Sequence, residues 1–243
     1  MLKNKFKVIV CVYNSEKWIK KCLFSILNQT YTNYDLIVIN DASTDNTFNI
    51  IKSIQKDYNF TFLNRSKNTG LLKNTIDGIN LICNDDNDII ISIDGDDWLY
   101  CYNAFEYLNK IYQDKDIWLT YGQFINLLSK SIGCNKQIKN TKTYRKKERW
   151  KTSHLKTFKY HLWKKIADND LKNKFGEYYS MGVDHSIMFP MVEMAGNKRI
   201  KFISKILYNY NNLNNLNCFK KNIKLQLSYA QEIRNKPCYE ELL

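Results

Sequence analysis

The chain has only 2 prolines and 8 glycines in 243 residues, which excludes collagen-like and low-complexity linker architectures. No apolar run approaches the roughly 20 residues that span a bilayer. The short apolar run after Met1-Leu2-Lys3-Asn4-Lys5 stops at Tyr13-Asn14 and lacks a small-residue cleavage site, so it does not read as a signal peptide. The 7 cysteines (Cys11, Cys22, Cys83, Cys101, Cys134, Cys218 and Cys238) include no CxxC pair and no zinc-ligand spacing. Scattered and odd in number, they read as reduced, mostly buried thiols. Also missing are a GxGxxG after the first strand signal and any GxxxxGK[ST], which argues against a dinucleotide fingerprint and a P-loop. Together these absences predict a soluble, cytoplasmic protein.

What the chain does have is a core. An apolar fraction of 44% and an aromatic fraction of 14% exclude disorder, and the length suits one large domain. Lys plus Arg outnumber Asp plus Glu by 37 to 24, a net charge of +13. The excess is uneven. Residues 1–100 carry 11 basic and 12 acidic side chains, whereas 136–174 carry 14 basic and 3 acidic. A basic stretch with Tyr144, Trp150, Phe158, Tyr160 and Trp163 interleaved suits a nucleic acid, an anionic membrane surface, ligand phosphates or an acidic acceptor. A solvated face is the alternative of equal weight, and the richness in Lys, Asn and Ile suggests an AT-rich genome as one source of the charge.

Strand and helix signals alternate over the first hundred residues. Short β-rich runs at 6–12, 35–39, 60–63 and 88–93 are separated by helical patterns that open near Ser15, near Asp45 or Thr47, and after Gly70. A helix over 103–112 and a strand over 117–121 follow. This spacing predicts βαβ units, a mostly parallel sheet flanked by helices, and ligands at the carboxyl ends of the strands. Those ends carry Tyr13-Asn14, Asn40-Asp41, Asn64-Arg65 and Asp94–Asp97. Residues 129–153 read as a long polar excursion without periodicity. An apolar helix over 184–195 follows, interrupted by Pro190, then two short strand-like runs within 200–210 and a terminal helix over 221–235.

Asp94-Gly95-Asp96-Asp97 directly follows the buried run at 89–93. Three carboxylates in four residues repel one another unless a divalent cation binds. Oxygen-rich sites suit Mg²⁺ or Mn²⁺, which usually also hold substrate phosphates. Gly95 lets the chain turn and a ligand approach the backbone. Asp85, Asp86 and Asp88 precede the strand, so they read as a solvated turn at the opposite rim.

At this point several stretches in register resemble the family 2 glycosyltransferases: FKVIVCVYNSE (6–16), SILNQTY (25–31), DLIVINDASTDNT (35–47), NTG (68–70) and DGDDWL (94–99). Downstream, HLKTFK (154–159), DHSIMFPMVEMAG (184–196), LYNYN (207–211) and IRNK (233–236) are similar to one branch of it. The resemblance implies a GT-A fold, α/β and Rossmann-like, as a single domain over 1–243. Residues 1–100 would form the nucleotide-sugar half, and 101–243 the acceptor half with a C-terminal helix. It implies metal-dependent, inverting transfer of a sugar from a nucleotide-diphosphate donor, UDP-linked by preference, to a glycan or lipid-linked hydroxyl. No nucleic acid partner is expected on this reading, and a membrane contact would be peripheral.

Carried over by position, Cys11 and Tyr13 would line the nucleoside pocket with Glu16 at the same rim. Asp41 would bond the base edge, and Asn68 and Gly70 would lie near the nucleotide. Asp96 would approach the ribose and the metal, Asp97 would ligate the metal with Asp94 in support, and His185 is a further candidate ligand. Asp184 would be the general base, taking the acceptor proton as the hydroxyl attacks. Two departures stand out: Asn40 replaces the first acid of a usual pair, and Val183 stands where Glu often precedes the base. Glu177 and Glu193 are other acids in that half. His154 suits a diphosphate or acceptor contact, or a satisfied hydrogen-bonding role. Tyr208 and Tyr210 would share a strand face, and Trp98 is either a sugar platform or core. The alternatives are a nucleic-acid- or anionic-surface-binding protein using 136–174, and a sugar nucleotidyltransferase. The latter lacks its expected Gly-rich loop and basic residues after the first strand.

Overall fold

The computed structural model describes residues 3–133, 135–214 and 222–243. Its first strand, β1 (Phe6–Val12), is buried along its whole length because the sheet is covered on both faces. Alternation sends Phe6, Val8, Val10 and Val12 into one core and Ile9 and Cys11 into the other. The strands β2 (Tyr34–Asn40), β3 (Thr61–Asn64) and β4 (Ile89–Asp94) join it in parallel, in the order β3-β2-β1-β4. Helices α1 (Ile19–Leu27) and α2 (Thr47–Gln55) contribute Leu23, Ile26, Ile51 and Ile54 to the first core, and α3 (Leu71–Ile82) gives Leu72 and Ile79 to the second. Ser15 does not cap α1 through its hydroxyl. Its carbonyl accepts from the amides of Trp18 and Ile19 instead.

Beyond β4 come β5 (Trp98–Leu99), α4 (Ala104–Ile111) and β6 (Leu119–Asn126). The strand β7 (Lys156–Lys159) then inserts antiparallel between β4 and β6. β8 (Ile200–Tyr210) runs parallel to β6 and carries β5 on its other edge. Among the described residues this makes eight strands in the order β3-β2-β1-β4-β7-β6-β8-β5. The two short runs expected within 200–210 are one strand. Register shifts against Gly122, Gln123 and Phe124 bend it, so its sequence reads as broken.

The excursion at 129–153 is more ordered than its composition suggests. It holds a helix, α5 (Thr141–Lys147), whose Asn140 side chain accepts from the Lys142 amide. α5 buries Tyr144 and Arg145. A short helix α6 (Tyr160–Trp163) follows β7. Next comes α7 (Val183–Ala195), buried on nearly all sides from Ser186 to Ala195 because it packs against the sheet, and then α8 (Ile223–Asn235). Arg145 is polar by type but core by position. Its guanidinium donates to both oxygens of Glu193 on α7, at 2.8 and 2.6 Å, and each side chain is 1% exposed. Glu193 also accepts from the Tyr239 amide, and Arg145 donates to the Pro237 carbonyl, so the pair fastens the C-terminal segment to the domain. Glu193 is thereby structural.

The basic stretch is no single solvated face, since Arg145, Lys156 and Lys159 are buried. Asp86 meets Lys164 at the surface. Asp88, by contrast, does not sit in the expected solvated turn. It is buried, accepts from the amides of Asn84 and Asp85, and lies 3.6 Å from the Lys7 ammonium, which reaches the far rim from β1. Cys11, Cys22 and Cys83 are buried free thiols, Cys101 is half-buried and Cys238 exposed. Cys134 and Cys218 lie outside the described residues, as does residue 221 of the terminal-helix expectation. Among the described residues no helix is long and apolar enough to cross a membrane.

Glu193→Gln leaves the Arg145 charge buried and unpaired. It is expected to cost about 3–5 kcal/mol of stability in urea denaturation.

Candidate functional site

The carboxyl rim of the parallel strands gathers most of the residues singled out above. At the end of β2, Asp41 is 4% exposed, and its carboxylate accepts from the amides of Thr69 (2.7 Å) and Gly70 (2.9 Å). The Asn68 amide donates to the Asp41 carbonyl. Asp41, Asn68 and Gly70 therefore form one loop junction, and Gly70 sits at φ +86°, where a side chain would be strained. Asn40, in the place of the first acid, bonds Asn64 across the strands.

At the end of β1, Cys11 is buried beside Thr75 and in register with Asp94, and burial pushes its thiol up to about 12. Tyr13 is exposed on the loop that follows. Glu16 lies farther out. Its carboxylate accepts from the Asn46 amide while its own amide donates to Asp45, which ties the two loops together.

The acidic turn is held from two sides. The Gly95 amide donates to the Cys11 carbonyl at 2.9 Å, and a Cβ on Gly95 would lie 2.4 Å from the Val12 Cβ. Only glycine lets the turn press this closely on β1. From the other side, the Asn211 amide donates to Asp97 Oδ1 at 2.7 Å, and the Asn211 side chain donates to the Asp96 carbonyl. Asp96 Oδ2 accepts from Asn214. Asp97 is 1% exposed, and its Oδ2 is buried without a hydrogen bond.

His154 completes the cluster. Its ring is stacked on Tyr208 (4.7 Å) and Tyr210 (5.1 Å), and one ligand atom each from Asp94, Asp97 and His154 fall within 4.8 Å of one another. The expectation that Tyr208 and Tyr210 share a strand face holds, because both stack on this imidazole. His185 is elsewhere. It lies one residue past Asp184, stacked on Trp150 at 4.1 Å, and is not part of the Asp94–Asp97–His154 group. Trp98 is core, 7% exposed and stacked on Trp18, with the Lys21 ammonium 3.8 Å from its ring centroid. Glu177 is exposed beside Asn173.

Opposite the turn, Asp184 occupies the first turn of α7, where a helix favours an acid. Lys156, from the start of β7, donates to its Oδ1 at 2.5 Å. Lys156 was not singled out in the sequence. The signal was its alternation with Phe158 in a short strand, which points a lysine into the covered face.

The electrostatics follow from crowding. Burial, with repulsion from Asp184 and Asp96 and against the pull of Lys156, pushes Asp94 up to about 7. Burial and repulsion from Asp96 and Asp94 hold Asp97 well above the usual carboxylate range, and burial also raises Asp96. Burial and the Lys156 charge push His154 down to about 3, so its imidazole is neutral and keeps a free lone pair at neutral pH. Asp184 differs: desolvation works against its charge, but the Lys156 ammonium beside it outweighs this and holds the carboxylate low.

A divalent cation fits this group. It would neutralise Asp94 and Asp97 and satisfy the orphaned Asp97 oxygen. The ligand atoms of Asp94, Asp97 and His154 all lie within 4.8 Å of one another, close enough for side-chain adjustment to bring them onto one ion.

The family model of glycosyl transferase family 2 matches residues 7–171. The chain belongs to that family. Glycosyltransferase GlyA of Streptococcus pneumoniae serotype 4 is 36% identical over 100 residues, covering 41% of this family 2 chain and 14% of that protein. The structure of S. aureus TarS residues 1–349 in complex with UDP-GlcNAc superposes with a TM-score of 0.66 at 20% identity, over 85% of this chain and 58% of that one. Mannosyltransferase PcManGT from Pyrobaculum calidifontis, in complex with GDP-Man and Mn²⁺, gives 0.59 at 17%, over 86% and 57%. The family 2 chain thus spans less than two thirds of the length of each of these relatives. Its fold is GT-A, as the α/β, mostly parallel pattern and the motif resemblance implied.

Gly95→Ala is expected to destabilise the protein by about 1–3 kcal/mol in urea denaturation, because the added Cβ meets β1. Asp97→Asn removes a buried charge whose folded pKa is raised. Such a charge opposes folding at any pH above its unfolded value, so at pH 8 the metal-free variant is expected to melt higher than wild type.

Proposed function

We propose that the chain transfers a sugar from a nucleotide-diphosphate donor, UDP-linked by preference, to a hydroxyl of a glycan or lipid-linked acceptor, with inversion. The observation that carries this is the meeting of Asp184 with the Asp94–Asp97–His154 group on one rim of a family 2 fold. Residues 1–100 form the donor half of this scheme and 101–243 the acceptor half. Asp41, Asn68, Gly70, Cys11 and Tyr13 line the nucleoside end, and Asp96 approaches the ribose. Asp94, Asp97 and His154 would hold a divalent ion, Mn²⁺ or Mg²⁺. When bound, that ion neutralises the diphosphate as it leaves.

Asp184 does the proton chemistry. The acceptor oxygen attacks the anomeric carbon as its proton passes to Asp184, while the bond from that carbon to the diphosphate breaks and the nucleoside diphosphate departs. With the base and the leaving group on opposite faces of the sugar, a single displacement inverts the configuration. The exposed Lys136, Lys139, Lys142, Lys147 and Arg149 lie on the acceptor half, where they would favour an anionic acceptor or membrane surface.

A thermal-shift panel of UDP, GDP, CDP, ADP and TDP, each with and without Mn²⁺, tests the donor half. One nucleotide, UDP by preference, is expected to raise the melting temperature only with the metal. No shift with any nucleotide at millimolar concentration would overturn the proposal. Asp97→Ala is expected to abolish the metal-dependent shift. Asp184→Asn is expected to keep it while transfer falls by about 10²-fold or more.

A further inference from the structure

Lys156 has no packing reason to be lysine. β7 runs antiparallel to β4 with Lys156 opposite Ser92, and alternation puts Ser92, Asp94, Lys156 and Phe158 on the sheet face that α7 covers. Two residues along, that same face takes Phe158 into the apolar core. Lys156 is 7% exposed, and burying an ammonium costs several kcal/mol unless charges compensate. The compensation comes from two directions. Asp184 lies 2.5 Å away on α7, and Asp94 lines the same small cavity as the ammonium and, with Asp97, attracts its charge.

The geometry treats the two oxygens of Asp184 differently. Oδ1 is tethered by Lys156. Oδ2 has no hydrogen bond among the described residues, and the side chain keeps 35% exposure. Between Asp184, Lys156 and Asp94 is a cavity of about 20 Å³, also lined by Thr75, Leu71 and Met188. That is room for one water-sized group. An aspartate at the edge of such a space, with one oxygen tethered and the other free of hydrogen bonds, is set in orientation before any acceptor arrives. Preset orientation is worth a large part of what a general base contributes.

We propose that Lys156 is the positioning residue for Asp184: it tethers Oδ1, leaves Oδ2 to receive the acceptor proton, and places one positive charge between this carboxylate and Asp94. This rests on the glycosyl-transfer reading above. Two consequences separate it from a merely structural lysine. Losing Lys156 disturbs the base and not the nucleoside pocket, so turnover falls while donor affinity stays. It also withdraws a cation from beside Asp94, so the carboxylates attract a divalent ion more strongly.

The experiment compares wild type with Lys156→Met and Lys156→Arg. Lys156→Gln is carried alongside in case methionine among the carboxylates lowers the folding yield. Turnover is read as UDP released from a UDP-sugar with water as acceptor, and metal binding as the melting shift given by Mn²⁺ alone. Lys156→Met, or Lys156→Gln in its place, is expected to lower kcat about 10–100-fold with KM for the donor within about 3-fold. Lys156→Arg is expected to recover at least part of the loss. Mn²⁺ alone is expected to stabilise the methionine or glutamine variant more than wild type. Unchanged kcat, a loss confined to KM, or a Mn²⁺ shift no larger than that of wild type would each overturn the inference alone. A wild type that neither binds UDP with Mn²⁺ nor releases UDP from the donor overturns the glycosyl-transfer reading, and the inference with it.

Discussion

Four carboxylates, Asp94, Asp96, Asp97 and Asp184, converge on one rim of the sheet, and their mutual repulsion shapes what surrounds them. Lys156 stands between two of them, Asn211 and Asn214 donate to the other two, and the neutral His154 ring closes the group. Even so, Asp94 and Asp97 hold their protons far more tightly than free carboxylates. Such a site opposes the stability of the metal-free fold and gains when a cation binds. The cost is concentrated where ligand binding can repay it.

The rest of the fold makes that concentration possible. β1, β2 and β4 are buried on both faces, so the rim is anchored in a rigid sheet. Gly95 presses the acidic turn against β1, and β8 bends at its bulges so that Tyr208, Tyr210 and Asn211 reach the turn from the far side. On the opposite face, the Arg145–Glu193 pair secures α5, α7 and the C-terminal segment together. α7 carries Asp184 at one end and Glu193 near the other, so one helix serves both the site and the closure of the fold. The basic stretch accordingly divides. Some of its charges are internal counter-ions, and others remain on the surface.

The parallel core was legible in the chain because its signals are local. Apolar runs of strand length, helix periods between them and polar strand ends follow from backbone geometry, and each motif from 6 to 99 is a short contiguous stretch of chain. The acidic cluster could be named from those motifs and Asp184 from the resemblance at 184–196, and Asp41, Asn68 and Gly70 do meet at one loop junction. Less legible were residues whose meaning depends on a distant partner. Arg145 reads as part of a solvated polar loop until Glu193, 48 residues on, is seen to neutralise it. Asp88 reads as a surface acid until Lys7 is found beneath it. β8 reads as two strands because its bulges are set by β6.

By itself, then, the sequence determined the α/β architecture, the family and the acids at the strand ends, since each is written in short-range pattern. Only the tertiary structure decided that His154 and not His185 joins Asp94 and Asp97, and that Lys156 holds Asp184. The reason is physical. Period and motif fix which face a side chain takes, whereas an ion pair or a metal-ligand set depends on distances between segments far apart in the chain, which the packing of β7, β8 and α7 alone sets.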